Sequence, residues 1–351
     1  MGIQQGCQKS ALLFDSALDM CYEKLDPRVG YRVPDPAAPQ EICSITQKMR
    51  PGGYDITEAL FADNGVTVAA TRLGSVKNTL LTVRELGKCG LRMNPKKCAT
   101  LAIRKNGKLK KSYVDPTPYL TIDGEVVPAM KLGETYLYLG LKIEANGYDI
   151  REVTKTLVVQ LDRLDKASLK PQQRLHALKV NVIGGLLHSL RLVHISQKTL
   201  LNIDRMIRRY VRKWLHLQSD TPTAIFHASS ADGGLSIPSM VTGIRRLRRN
   251  RLVKMTLSKD PLIKIMVSSG TGEAADRLAQ SVKKLGEVQI MSKDAERRAW
   301  KEELHSKTDG RGLQYQDGFG DGLITEPLFP AQGAEFVKAL RVRCNTMKTP
   351  A

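Results

Sequence analysis

The spacing of the apolar residues changes near residue 150, and that change limits the fold more tightly than any other feature of the chain. Before it, residues 26 to 53 carry Pro27, Pro34, Pro36, Pro39, Pro51, Gly52 and Gly53, which bars a long helix there because proline lacks the amide donor and clashes with the preceding turn. After it, Val153, Leu157, Leu161 and Leu164 recur at helical spacing, Pro171 stands where a next helix tolerates it, and Leu200, Ile203, Ile207, Val211 and Trp214 line one face of a helix over 199–217. Short strands and loops followed by amphipathic helices predict an α+β chain with a mixed first half and a helical second half.

Several elements of the first half can be placed. Ala11, Phe14, Leu18, Cys21 and Leu25 predict a helix capped by Ser10. Leu60-Phe61-Ala62-Asp63-Asn64-Gly65-Val66 reads as a tight hairpin, with Asn64-Gly65 as its turn and Asp63 just before it, since both turn residues tolerate positive φ. An acid there is either ordinary turn chemistry or a rigidly held ligand for a hard cation. Ser75 predicts the start of a second helix ending at Gly87 or Gly90. Ala99 to Ile103 reads as a strand running into a basic loop of Lys105, Lys108, Lys110 and Lys111. Tyr119 to Ile122 and Val126-Val127 read as a strand pair through Asp123-Gly124, and Tyr136 to Ile143 reads as one alternating strand. Gly310 to Gly322 reads as a loop before a final helix around Glu335 to Arg343.

Charge narrows the function. The chain carries a net charge of +20, and between residues 163 and 213 twelve Lys or Arg face only Asp165 and Asp204, so half the surplus lies in one stretch. A second run follows, Arg245, Arg246, Arg248, Arg249 and Arg251. Helices with one apolar and one cationic face suit a phosphate backbone, which rewards point charges; Arg205, Arg208, Arg209, Arg212 and Lys213 are the candidate contacts. Six scattered cysteines without Cys-x-x-Cys spacing argue against a zinc site or a disulfide scaffold and fit a reducing compartment. No apolar run spans a membrane and no signal peptide is read.

Four blocks in collinear order give a resemblance. Gly2-Ile3-Gln4-Gln5-Gly6, Phe61-Ala62-Asp63-Asn64, Gly90-Leu91 with Asn94, Lys97 and Cys98, and Tyr138-Leu139-Gly140 resemble successive palm motifs of the reverse transcriptases of non-LTR retrotransposons, most closely the site-specific type that inserts into ribosomal RNA genes. Arg212-Lys213-Trp214-Leu215 and Asp232-Gly233-Gly234-Leu235 with Ile237-Pro238 are similar to the thumb. The resemblance implies a partial right-hand polymerase palm over 1–145, an antiparallel sheet with helices, then an all-α thumb over 146–260 and a linker-like helical region over 261–351, with the fingers absent.

The resemblance also implies roles. Asp63 is the metal ligand and catalytic carboxylate, with Mg²⁺ as cofactor. Lys97 stands near the leaving pyrophosphate or is simply a solvated lysine. Gln5, Gly6, Phe61, Ala62 and Asn64 contact nucleotide or template, and Tyr138, Leu139 and Gly140 grip the primer. RNA template, DNA primer or RNA–DNA duplex, and deoxynucleoside triphosphates are the implied partners, and the nucleus the implied location. The departures set a second expectation: Asn64 replaces the family's second Asp, and the first metal-binding Asp is expected upstream of the Gln-Gly block. The metal site therefore reads as incomplete, with polymerase activity impaired in this chain alone; a catalytically inactive RNA- or DNA-binding remnant is the alternative.

Overall fold

The computed structural model describes residues 8–35, 37–42, 49–61, 64–145, 147–148, 150–192, 195–269, 283–285, 288–290, 292–307, 313 and 333–343. It divides into two compact units, Met1–Asp149 with Ser258–Thr271, and Ile150–Leu257 with Gly272–Ala351. Helices and small antiparallel sheets make up both, which is the α+β composition expected.

In the first unit, α1 (Gln8–Tyr22) and α2 (Arg72–Lys88) pack together. Ser10 lies inside α1 rather than ahead of it, because an apolar period marks a helix's buried face and not its first residue. Helix α2 starts three residues before Ser75, since Thr71 is the cap, its Oγ1 accepting from the Gly74 amide at 3.0 Å. Leu18, Cys21, Tyr22, Leu25 and Leu86 form one small core, and Leu120, Ile122 and Val127 another.

The strands form separate ribbons instead of one palm-like sheet. β1 (Tyr31–Pro34) pairs with β4 (Gly53–Ile56), β2 (Glu41–Ile42) with β3 (Met49–Arg50), and β5 (Glu58–Phe61) with β6 (Asn64–Thr67). β7 (Ile103–Asn106) pairs with β8 (Lys111–Val114), and β9 (Thr121–Ile122) with β10 (Glu125–Val126) through Asp123-Gly124 as expected. β11 (Tyr136–Tyr138), β12 (Leu141–Glu144) and β13 (Gly147–Tyr148) make a three-stranded sheet. Two strand expectations change. The basic segment read as a loop is the β7–β8 ribbon, and Ala99 to Ala102 contributes only an isolated bridge, Thr100 to Ala129. The run read as one strand from Tyr136 is a hairpin turning at Leu139-Gly140, both at positive φ (49° and 76°), as in a type I′ turn. Apolar alternation continues through that turn, and leucine is no turn residue, so the pattern conceals it.

The second unit is helical: α3 (Ile150–Lys166), α4 (Pro171–Ala177), a π-helical segment (Leu178–Ile183), α5 (Gly184–Leu192), α6 (Gln197–Leu215), α7 (Thr223–His227), α8 (Met240–Thr256), α10 (Lys293–Ser306) and α11 (Gly333–Arg343); α9 (Pro261–Ser269) belongs to the first unit. One core runs through the second unit. It takes Leu157 and Leu161 from α3, the buried face of α6, and Phe226 and Ile237, together with Trp300, Leu304, Phe336 and Leu340 from residues 261–351. Those C-terminal helices are thus core elements, where the sequence reads a linker-like region. The stretch read as a loop over Gly310 to Gly322 lies outside the described residues apart from Leu313.

Candidate nucleic-acid interface

Helix α6 is the framework of the basic stretch. Ser196 starts it, accepting from the Thr199 amide at 3.1 Å, and His216 ends it in the left-handed region at φ 49°. Its buried face carries Leu200, Ile203, Ile207, Val211, Trp214 and one carboxylate, Asp204. Asp204 accepts from Ser239 Oγ at 3.0 Å and from the amides of Met240 and Val241 at 2.7 and 3.2 Å. An acid thus meets the positive end of α8 and satisfies its free amides, locking the two helices at that crossing.

The five predicted cations of α6 separate into two kinds. Arg205 and Arg209, one turn apart, are exposed. Lys213 continues that stripe but pairs with Asp165 at 2.6 Å, beside the Trp214 indole that donates to the same carboxylate at 2.9 Å. Those two donors, Lys213 first, hold the Asp165 carboxyl below the usual range. A shallow cavity of ≈ 290 Å³ opens between Asp162, Asp165, Arg209, Tyr210 and Lys213, with Tyr210 donating to Asp162.

Arg208 and Arg212 turn inward. Arg208 Nη1 reaches Nε2 of buried His227 at 3.1 Å, and His227 Nδ1 lies 2.8 Å from the Ile237 carbonyl. The carbonyl only accepts, so Nδ1–H donates to it and Nε2 accepts from Arg208. Burial pushes His227 down, keeping the ring neutral in that role. Arg212 donates to the Thr221 carbonyl at 3.2 Å and lies 4.8 Å from the Phe226 ring centroid. The second arginine run is also largely structural: Arg245 donates to Gln197 at 2.8 Å, Arg246 pairs with Glu296 at 2.8 Å, and Arg248 donates to the Leu190 carbonyl at 3.0 Å.

The Asp232-Gly233-Gly234-Leu235 segment has a steric explanation. Gly233 sits at φ 95°, and a Cβ on Gly234 would come 2.3 Å from the Ala228 carbonyl oxygen, so neither position accepts a side chain without movement. Asp232 pairs with Arg297 at 2.9 Å and with Lys301 at 3.5 Å, tying this loop to α10.

The polymerase-motif residues of the first unit are described unequally. Gln5, Gly6, Ala62 and Asp63 lie outside the described residues. On either side of them, Phe61 pairs with Asn64 and Leu60 with Gly65, so Asn64-Gly65 is strand. The Asn-Gly turn expected there is therefore corrected. Gly65 serves close approach instead, since a Cβ on it would come 2.5 Å from Tyr22 Oη on α1. Lys97 is exposed and closes a short 3₁₀ turn, Pro95–Lys97, capped by Asn94. Its carbonyl accepts from Tyr136 Oη, which attaches the Tyr138-Leu139-Gly140 hairpin to the Lys97 turn. Tyr136 and Asp204 are positioning residues that the motifs do not mark; aromatic alternation is the only hint of the first, and nothing local announces the second.

Among the described residues no group of three or more His, Cys, Asp or Glu is placed to hold a metal ion. In the Phe61-Ala62-Asp63-Asn64 block the sequence offers one carboxylate, Asp63, followed by the neutral amide of Asn64. Two Mg²⁺ ions need several bridging oxygens in octahedral arrangement, so this donor pair alone does not fit a two-ion site. No described helix is long and apolar enough to cross a membrane.

No family model matches the chain. It is similar to retrovirus-related Pol polyproteins. The Drosophila melanogaster protein from the type-2 retrotransposable element R2DM is 31% identical over 99% of this chain and 31% of its own length. The Nasonia vitripennis protein from the type-1 element R2 is 29% identical over 89% of this chain and 28% of its own length. A Popillia japonica R2 protein is 30% identical over 80% of this chain and 57% of its own length. The chain thus spans about a third of the first two relatives and over half of the third. It is a retrotransposon Pol segment of the reverse-transcriptase type. Within that class it belongs with the R2 non-LTR elements.

Proposed function

We propose that this chain is palm and thumb of an RNA-directed DNA polymerase, and that its own contribution is to grip template and primer while polymerisation by the chain alone is impaired. The observation that carries this reading is the similarity running through nearly the whole chain to R2 Pol polyproteins. In this reading Asp63 is a metal ligand, Gln5, Gly6, Phe61, Ala62 and Asn64 face nucleotide and template, and Tyr138, Leu139 and Gly140 hold the primer. Lys97 balances charge on the leaving pyrophosphate. Magnesium, when bound by a complete donor set, neutralises triphosphate charge; this chain supplies one carboxylate of that set. RNA template, DNA primer and deoxynucleoside triphosphates are the substrates, and the nucleus the place of action.

Arg205 and Arg209 carry the backbone contact on α6, because Arg208 and Arg212 are engaged inside the unit. Asn64 favours the second reading, a binding protein without chemistry, since an amide orients by hydrogen bonds and brings no negative charge.

Primer extension by the purified chain on an RNA template with Mg²⁺ tests the proposal. Little or no extension, with the RNA–DNA duplex still bound, is the expected result. Vigorous extension abolished by Asp63→Ala would overturn the impairment and leave the polymerase assignment standing; neither binding nor extension would remove both.

A further inference from the structure

The β7–β8 ribbon has no place in the machinery above, yet it is the most one-sidedly charged element of the first unit. Residues 103–114 hold Arg104, Lys105, Lys108, Lys110 and Lys111 and no acid. Among the described residues the two strands pair only with each other, and all twelve residues except Asn106 and Val114 are exposed. A ribbon with both faces in water gains little from burial, so its shape comes from local polar ties. Asn106 Oδ1 accepts from the Lys108 and Leu109 amides at 3.1 and 3.2 Å at the tip. At the root, Asp115 holds Arg104 at 3.2 Å and Arg72 at 2.9 Å. Arg104 is thus spent on anchoring, while no described carboxylate pairs with the four lysines.

The register sorts the side chains. Arg104 lies opposite Tyr113 and Asn106 opposite Lys111, so these four share one face, and Ile103, Lys105, Ser112 and Val114 share the other. Tyr113 is 47% exposed on a cationic strand. Cations that follow a backbone beside an aromatic ring open to stacking are the combination that binds unpaired nucleotides. A duplex hides its base faces, and A-form RNA closes its major groove to a ribbon.

We propose that the β7–β8 ribbon is a docking arm for single-stranded nucleic acid, with Tyr113 stacked on a base, Lys111 on the same face and Lys108 and Lys110 at the tip on phosphates, and Lys105 adding charge from the other face. The arm does not depend on whether the chain polymerises, so a failed primer-extension assay leaves it standing.

The test is fluorescence anisotropy of the full chain with labelled oligonucleotides of about 20 nucleotides, as single-stranded RNA, the same sequence as DNA, and the blunt duplex, across a salt series. Replacing the four lysines by glutamine should weaken single-strand binding about tenfold or more near 0.1 M salt and reduce the log–log salt slope by about 2 to 3, given about 0.7 per phosphate. Tyr113→Ala should lose about fivefold or more while Tyr113→Phe keeps wild-type affinity, because stacking needs the ring and not the hydroxyl. As a charge control, Lys264, Lys293, Lys307 and Lys338 are replaced by glutamine; all four are exposed and outside the ribbon. Preference of RNA over DNA, or the reverse, identifies the strand. The proposal is overturned if the wild-type chain does not bind single strands, if the ribbon variants bind as wild type, or if the charge control loses as much. Equal loss on duplex would overturn it too.

Discussion

The two units solve the problem of stability differently. Among the described residues the helical unit has one continuous core of thirty-one buried apolar residues, whereas the first unit has clusters of five and three. Of eighteen large apolar side chains exposed among the described residues, fourteen, including Leu73, Leu132 and Leu137, lie in the first unit. That unit is held instead by charge. Glu85, nearly buried, accepts from Lys24 at 2.8 Å and Lys88 at 2.7 Å, Asp26 holds Lys77 at 2.6 Å and Arg28 at 2.9 Å, and Arg32 bridges Asp55 at 2.8 Å. The helical unit adds its ion pairs, such as Arg246 with Glu296 and Lys213 with Asp165, to a large apolar core that does not titrate, whereas the first unit depends on its ion pairs far more.

Truncating the helical core should have the largest effect. Phe226 is fully buried, and Phe226→Ala should cost about 3–5 kcal/mol. Both tryptophans, Trp214 and Trp300, belong to this core, so denaturant unfolding followed by their fluorescence reads that loss directly. Leu18→Ala in the first unit should leave the same signal unchanged, and equal shifts would erase the contrast. Next, Asp204→Ala should cost about 2–4 kcal/mol by leaving the hydroxyl of Ser239 and two amides of α8 without their acceptor. Asp204→Asn should recover part of it, as it keeps one acceptor oxygen.

Acid separates the units. The hydrogen bonds from Lys24 and then Lys88 hold the Glu85 carboxyl down to about 2, against an ordinary 4.5. Arg28 and Lys77 hold Asp26 well below its ordinary value. A depressed folded-state pKa gives stability that is complete above the unfolded value and is lost as pH falls through the folded one. Protection of the α1 and α2 amides, measured against their intrinsic exchange at each pH, should therefore fall between about pH 4.5 and 2, while the helical unit loses at most the local tie of Trp214 to Asp165 and keeps its core folded; simultaneous unfolding would contradict the division. The smallest effect is expected at Leu139, where a branched side chain sits at φ 49°. Leu139→Gly should stabilise the first unit by about 1 kcal/mol through relief of left-handed strain, read as slower amide exchange in β11 and β12.

How far the sequence led depended on what each residue faces. The α6 period identified Leu200, Ile203, Ile207, Val211 and Trp214 correctly because burial on one face imposes that spacing. It said nothing of Arg208 or Arg212, whose inward turn is decided by His227 and Thr221 on elements that only the fold brings near. The sequence predicts the β5–β6 hairpin but puts its turn at Asn64-Gly65, which is strand, because Asn-Gly is a strong local signal and the close approach of Gly65 to Tyr22 is long-range. The β7–β8 ribbon escaped because a strand with both faces in water has no apolar alternation to display. The polymerase motifs came from collinear resemblance, and the R2 relatives support them at the level of the family.

The grip on nucleic acid is most directly tested by filter binding of an RNA–DNA duplex across a salt series, comparing the wild-type chain with Arg205→Gln/Arg209→Gln and with Arg208→Gln/Arg212→Gln. The wild-type chain should bind with affinity falling steeply as salt rises. The exposed pair should lose affinity and reduce the log–log slope by about 1 to 2 with unfolding unchanged, at about one ion released per phosphate contact. The inward pair should chiefly lower unfolding stability. Binding that ignores salt, or that survives loss of Arg205 and Arg209 undiminished, would contradict the account.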